Sequence, residues 1–285
     1  MSQSRWATKL FYSSAITQGA IYVIRPMITY RALELDATAS TIGFIAAVYA
    51  LLPVLLALTF GKMVGQIGEG RFVIFGTLFI GVSAGLLMAA DTLTVLAIAA
   101  ALSGIAHLAC MVGGQTMVAL KSPPDQYEEH FGRYTFSASL GHMVGPILAT
   151  LVAGSTGVMP KSTSAAFALA LALAALAMVP VISWRNEPPT FVGRREDSGA
   201  LRAAGKLLKK PGIFAAICTS LAVSATGDSL VVFLPLYGNE NQFSALSIGI
   251  IISIRAATSM ASRFFLGRLS ARFTPRQLLT TSNAV

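Results

Sequence analysis

Long stretches free of Asp, Glu, Lys and Arg alternate with short polar clusters along this chain. Uninterrupted runs cover residues 37–61, 72–90, 92–120, 134–160 and 162–184. Three more, at 10–30, 211–239 and 241–262, are each broken by one charge: Arg25, Asp228 and Arg255. A helix rising ~1.5 Å per residue needs roughly 20 apolar residues to cross the hydrocarbon core of a bilayer, and every run satisfies that. The runs show no two-residue alternation and exceed the length of a barrel strand, which excludes a transmembrane barrel. The pattern predicts an all-α membrane protein with eight spans and, over 277–285, the start of a ninth. The runs at 92–120 and 134–160 are too long for straight spans, so their ends should lie in the interface or in water. The N-terminal run is too long for a cleavable signal core and lacks a small-residue cleavage site behind it.

Composition sharpens this picture. The chain has 285 residues, 54% hydrophobic and only 12% charged, with a mean hydropathy of +0.69. A soluble domain carries about 25% charge, so a soluble enzyme and a disordered chain are both disfavoured. The net charge of +9 would fit nucleic acid in a soluble protein, but its distribution gives it another meaning. Of the 21 Lys and Arg, Arg31 and Lys161 alone fall on one side of the predicted spans. Arg25 and Arg255 fall inside them, and all the others lie on the opposite side. That asymmetry places the N-terminus in the cytoplasm and the protein in a cell inner membrane. No nucleic-acid partner is expected. Cys110 and Cys218 both lie within apolar runs, so no disulfide framework is implied. The sequence has no phosphate-binding glycine loop, no Gly-x-Ser-x-Gly, no His-Glu-x-x-His and no paired metal-ligand motif. It is therefore read as no enzyme, with no cofactor and no metal.

The polar stretch from Arg185 to Lys210 separates six spans from the rest. It divides the chain into a six-helix bundle at 1–184, a cytoplasmic central loop at 185–212 and an incomplete second bundle at 213–285. Residues 201–210 suit an amphipathic surface helix and equally a solvated linker. Two segments resemble each other across this divider. Thr41-Ile42-Gly43 precedes Gly61 by the same interval that separates Ser247-Ile248-Gly249 from Gly267. Each distal glycine opens a basic loop, and Pro26 has a counterpart in Pro235. Parallel repeats joined by a basic linker are one construction of secondary transporters.

With these residues in view, the chain resembles the major facilitator superfamily (MFS) over essentially its whole length. In that family the loop between helices 2 and 3 reads Gly, three residues, Asp, Arg or Lys, any residue, Gly, Arg. Here Gly61, Gly65, Gly68 and Arg71 occupy that loop, with Gly65 in place of the Asp and Gln66 in place of the basic residue. The second copy has Gly267, Arg268 and Arg272, with Ala271 at the Asp position. The family Asp helps latch one side shut, so both copies depart from that gating pattern. Helix 5 carries Gly132, Gly141, Gly145 and Pro146, which resembles the motif of drug–proton antiporters except that Ala149-Thr150 replaces its trailing glycine pair. Gly141 and Gly145 share a helix face and admit close approach of a neighbour, and Pro146 removes a backbone hydrogen bond.

Polar groups at depth supply the candidate site. An ionisable side chain at the centre of a span costs about 2.5–3.5 kcal/mol on insertion scales, so it is paired or hydrated and functional by default. Asp228 and Arg255 fall near mid-span on consecutive helices, which predicts an ion pair between them. Asp228 would then bind a proton or a cationic group, with Arg255 tuning it. Arg25 is read either as an anion-binding group or as a side chain reaching the outer interface. His107, Gln18, Tyr22 and Gln115 are further candidates for holding substrate or protons, and His142 adjoins the helix-5 glycines. The resemblance implies that helices 1, 4, 7 and 10 line a central cavity while helices 3 and 6, which lack embedded charges, face lipid.

Two halves of six helices should match in size, so the chain reads as C-terminally truncated, with helices 10–12 missing. An oligomer is expected if that truncation is real. The function implied is secondary active transport of a small, partly hydrophobic solute by alternating access, in a proton-coupled exporter or antiporter. The alternative is a membrane remnant or scaffold that transports nothing, in keeping with the missing helices and the lost loop Asp.

Overall fold

The computed structural model describes residues 3–154, 156–190 and 212–270. The expectations for the 201–210 helix, Ala271, Arg272 and the ninth span fall outside the described residues. Eight long helices follow one another: α1 Gln3–Glu34, α2 Ala39–Ile67, α3 Glu69–Met88, α4 Leu93–Lys121, α5 Tyr127–Val152, α6 Thr163–Val181, α7 Ile213–Glu240 and α8 Ala245–Ser270. A short 3-10 turn, Ile182–Asn186, follows α6. No strand is present among the described residues. Six of these helical stretches, α2–α6 and the greater part of α7, are long and apolar enough to cross a membrane, which makes this a multi-pass membrane protein. The sequence expectation was eight. α8 contributes a shorter apolar stretch, Ala245–Ala261, and α1 is the most polar of the first six helices.

Burial accounts for the polarity of α1. Every residue from Thr17 to Tyr30 is buried, because α1 packs on α5 and α6 and also touches α3, α4 and α7. Its polar side chains therefore meet protein rather than lipid. Along one stripe they run Gln18, Tyr22, Arg25 and Thr29, the spacing of a single helix face. By contrast α2 turns Phe44, Leu51, Val54, Leu55 and Leu58 outward, and α3 exposes Leu78, Val82 and Leu86. α6 likewise turns Leu171, Leu176 and Val179 outward.

The internal repeat is visible in backbone detail. At the end of α1 the Ala37 N–H reaches back to the Ala32 carbonyl, and Asp36 adopts a left-handed φ of 58°. At the end of α7 the Phe243 N–H reaches the Gly238 carbonyl, and Gln242 adopts a φ of 62°. Each turn is a six-residue closure that satisfies carbonyls left unpaired at a helix C-terminus. Two residues later Thr38 caps α2 by accepting from the Thr41 N–H at 3.3 Å, and Ser244 accepts from the Ser247 N–H at 3.1 Å. All of these pairs share one constant offset along the chain, the same as that of Gly43/Gly249 and Gly61/Gly267. Pro26 and Pro235 lie three residues out of that register. Pro26 falls well inside α1, since the helix continues to Glu34.

Backbone-to-backbone approaches draw the bundle together. A Cβ at Gly141 would lie 2.5 Å from the Ala15 carbonyl oxygen and the Gly19 nitrogen, and one at Gly145 would lie 2.8 Å from the Gly19 oxygen. Only glycine lets α5 sit this close to α1. Gly104 of α4 rests against the Tyr49 carbonyl of α2. Pro53 has no N–H to offer that carbonyl, and Gly104, lacking a Cβ, leaves room for it. On its other side α5 carries α8, where a Cβ at Gly249 would lie 2.9 Å from the Pro146 carbonyl oxygen.

Candidate functional site

A cavity of about 560 Å³ lies between α1, α2, α4 and α7. Its walls are mostly apolar, from Ile42, Ile45, Pro53, Leu221, Val232 and Phe233 among others. Few polar groups reach it, and most of those are connected. Arg25 Nη1 donates to Asp228 Oδ1 at 2.8 Å, joining α1 to α7. One turn further along, Thr29 Oγ1 donates to the Val232 carbonyl at 2.9 Å. The guanidinium carbon of Arg25 lies 5.6 Å from the Tyr22 ring centroid and 5.1 Å from that of Tyr49, within cation–π range of both. The Tyr49 hydroxyl is 3.0 Å from His107 Nδ1, and His107 Nε2 is 3.1 Å from Gln18 Oε1. His142 Nε2 reaches the same Gln18 oxygen at 3.1 Å, and its ring stacks on Tyr22 at 3.9 Å between centroids. Gln18 Nε2 completes its bonding on Met111 Sδ at 3.1 Å. An amide oxygen only accepts, so both imidazoles carry hydrogen on Nε2, and the Tyr49 hydroxyl donates to Nδ1 of His107.

Two sequence expectations are corrected here. Asp228 pairs with Arg25, not with Arg255. α8 packs mainly on α5 and touches α7 only lightly, so adjacency in sequence did not become adjacency at mid-span. The Arg255 guanidinium instead lies against Gly227, where a Cβ would come 2.8 Å from its Nη1, and its Nε is buried without a hydrogen-bond partner. Among the described residues Arg255 makes no ion pair. The second correction concerns Arg25. It is 6% exposed and bonded inward, which overturns the reading in which it reaches the outer interface. Gln115 is exposed on α4 and does not line the cavity. Tyr22 and Gln18 are buried behind the wall that Arg25, Tyr49 and His107 form.

The helix-5 glycines divide into two kinds. Gly141 and Gly145 form the α1 contact, whereas Gly132 is exposed with open space where a Cβ would stand. Gly61 and Gly65 likewise have nothing within 4 Å of a Cβ. Gly68 is different, with a φ of +101° and the Pro189 backbone 3.3 Å from a Cβ position. It turns the chain between α2 and α3 and brings Glu69 inward, where it is 3% exposed. Glu69 accepts from the Thr190 hydroxyl and from the Thr190 N–H, and lies 3.8 Å from Lys121 Nζ. Lys121 also pairs with Glu187 at 2.6 Å, and Arg71 Nε donates to the Arg185 carbonyl at 2.9 Å. The segment after α6 is thus fastened across one end of the bundle, with Trp184 fully buried against Gly70. Gly267 and Arg268 lie within α8, and Arg272 lies outside the described residues.

Sequence reasoning missed Tyr49, Met111 and Glu69. Tyr49 and Met111 sit in apolar runs as ordinary core residues would, and only their spatial partners distinguish them. Glu69 was legible in principle, as an acid next to a glycine in an otherwise basic loop.

With this geometry established, the chain compares with known proteins as follows. A family model described as Major Facilitator Superfamily matches residues 10–284. No curated protein sequence matches. Among solved structures, a bacterial homologue of the human lysosomal transporter Spinster, inward-facing and unoccupied, superposes with a TM-score of 0.69 at 15% identity, covering 96% of this chain and 64% of that one. Its occupied form gives the same TM-score and identity, with 62% of that chain covered. A mutant of the peptide transporter POT in complex with sulfate gives a TM-score of 0.55 at 16% identity, covering 82% of this chain and 51% of that one. The present chain thus spans less than two thirds of the length of these structures.

Proposed function

This chain belongs to the Major Facilitator Superfamily, and from that premise we propose that it works in secondary transport of a small, partly hydrophobic solute by alternating access. The bundle at 1–184 and the helices from 213 onward act as the two moving parts, joined by the central segment at 185–212. The observation that carries this reading is the Arg25–Asp228 pair, a charged bond between α1 and α7 on the wall of an apolar cavity. Rocking of two bundles about a mid-membrane site requires contacts between them that form in one state and break in another. An ion pair whose carboxylate is 58% exposed is suited to that, because a proton or a cationic solute arriving from the cavity competes for the carboxylate directly. The repeated hairpin closures of α1–α2 and α7–α8 support the two-part division. The excess of Lys and Arg at one end supports a cytoplasmic N-terminus in an inner membrane, and the cavity walls support export of a solute with apolar bulk.

The test is flux through the full chain in proteoliposomes carrying a pH gradient, with ethidium as the probe and an internal pH-sensitive dye as the readout of coupled proton movement. Probe-dependent proton flux is expected from the wild type and is expected to be lost in Asp228→Asn. Undiminished flux in that variant, at matched protein incorporation, removes the proposal.

A further inference from the structure

The side chains around Arg25 close into a ring. Arg25 lies over Tyr22 and Tyr49. Tyr49 is bonded to His107, and Tyr22 is stacked on His142. Both histidines end on one atom, Gln18 Oε1, each at 3.1 Å. Gln18 is 2% exposed and takes no part in lining the cavity. Its remaining polar atom, the amide nitrogen, is directed to Met111 Sδ.

We propose that Gln18 is a positioning residue: by fixing His107 and His142 from one oxygen it sets the two phenol faces that hold Arg25, and so aims the guanidinium at Asp228. This inference rests on the transport reading only for its functional importance, since the geometry it describes is independent of flux. The chemistry follows from the donor inventory. The amide oxygen offers two lone pairs and no hydrogen, so it satisfies both Nε2–H groups at once and holds both rings in a single tautomer. His107 then presents Nδ1 as an acceptor, which orients the Tyr49 hydroxyl and with it the plane of the ring. A guanidinium removed from water gains from an aromatic face only when that face is turned toward it. Removing the oxygen takes from both imidazoles the acceptor they share, and the ring of contacts that turns the two phenol faces toward Arg25 is broken at its midpoint.

The experiment uses the full chain in lipid nanodiscs and reads the guarding of Asp228 with dicyclohexylcarbodiimide, which modifies carboxylic acids in apolar surroundings. Modification is located by peptide mass spectrometry. Arg25→Gln is the reference for an unguarded carboxyl. Gln18→Leu is expected to raise modification of Asp228 by about tenfold over wild type, the scale set by losing a desolvated cation–π arrangement. Gln18→Glu, which keeps the accepting oxygens, is expected to return it close to the wild-type level. In parallel, nitrogen NMR of histidine-labelled protein is expected to show both ring Nε2–H groups hydrogen-bonded in the wild type and in Gln18→Glu, and released in Gln18→Leu. If Gln18→Leu does not yield dispersed protein, Tyr49→Phe cuts the same ring at its hydroxyl and is expected to raise modification as well. Wild-type modification in Gln18→Leu, or in Tyr49→Phe when it stands in, overturns the proposal while Arg25→Gln raises it. Equal modification of wild type and Arg25→Gln also overturns it, since the guanidinium then guards nothing. Should labelling behave as expected while proteoliposomes show no flux, the transport reading falls and the positioning role stands.

Discussion

Arg25 and Asp228 share a 2.8 Å bond but live in opposite surroundings, Arg25 at 6% exposure and Asp228 at 58%. The two halves of the pair are therefore unequal as targets. Asp228→Asn leaves a guanidinium enclosed by protein without its counter-charge, and breaking a buried pair from one side costs about 3–5 kcal/mol. The Tyr22 and Tyr49 faces offset part of that, each by roughly 0.5–2 kcal/mol. Arg25→Gln leaves only a carboxylate with access to the cavity. Unfolding of each variant in mixed micelles is expected to rank Asp228→Asn as the less stable by about 2 kcal/mol. The reverse order would mean that Asp228, not Arg25, is the enclosed partner.

The α1–α5 contact separates the helix-5 glycines by experiment as it does by geometry. Alanine at Gly141 places a methyl 2.5 Å from the Ala15 oxygen, and at Gly145 2.8 Å from the Gly19 oxygen. Backbone cannot yield as a side-chain tip does, so either change is expected to destabilise the bundle by about 1–3 kcal/mol. Gly132→Ala enters open space in a helix and is expected to stabilise by up to ~1 kcal/mol. Thermal melts in detergent distinguish these signs directly.

Much of the architecture was legible because bilayer physics is one-dimensional along a helix. Uncharged runs marked α2–α6, and the interval from Thr41-Ile42-Gly43 to Gly61 found the repeat that the caps of α2 and α8 later display. The site was legible only as residue types. Arg25, Asp228, His107 and Gln18 stood out because charge and amide are costly in an apolar run. Their partners did not, because pairing depends on which helices touch. Asp228 and Arg255 lie on neighbouring helices in sequence, yet α8 packs on α5 and leaves Asp228 to α1. Tyr49 carries no polar anomaly in its run and gains its role from His107 alone. α1 shows the converse. Its polar stripe weakens it as an apolar span, although that polarity is the consequence of sitting at the centre of the bundle.

The segment that follows α6 is held by contacts of different kinds, and they are expected to respond differently. Gly68 holds a φ of +101° beside Pro189. An L residue there combines backbone strain of about 1–3 kcal/mol with a tight contact on the Pro189 backbone. Glu69→Gln keeps a hydrogen-bond acceptor for Thr190 and loses only the charge facing Lys121. Limited proteolysis is expected to cut Gly68→Ala markedly faster than wild type just after Trp184, over residues 185–190. Glu69→Gln is expected to fall between the two, with Lys121 still held by Glu187 at 2.6 Å. Equal cleavage in all three would show that buried Trp184 alone fastens the segment.

The two hairpin turns permit a test of the repeat itself. Asp36 and Gln242 occupy the same place in their turns with φ values of 58° and 62°. A left-handed conformation costs an L residue about 1–2 kcal/mol, and glycine is exempt. Asp pays less than Gln, since its short side chain bonds locally and tolerates this region. Gln242→Gly is therefore expected to raise stability by about 1 kcal/mol and Asp36→Gly by less than half of that. Denaturation of each single variant and of the double variant checks both claims. The turns lie at separate hairpins with no shared partner, so the two gains are expected to add within ~0.5 kcal/mol. Loss of stability at either position would show that the side chain, and not the backbone closure common to both hairpins, holds that turn.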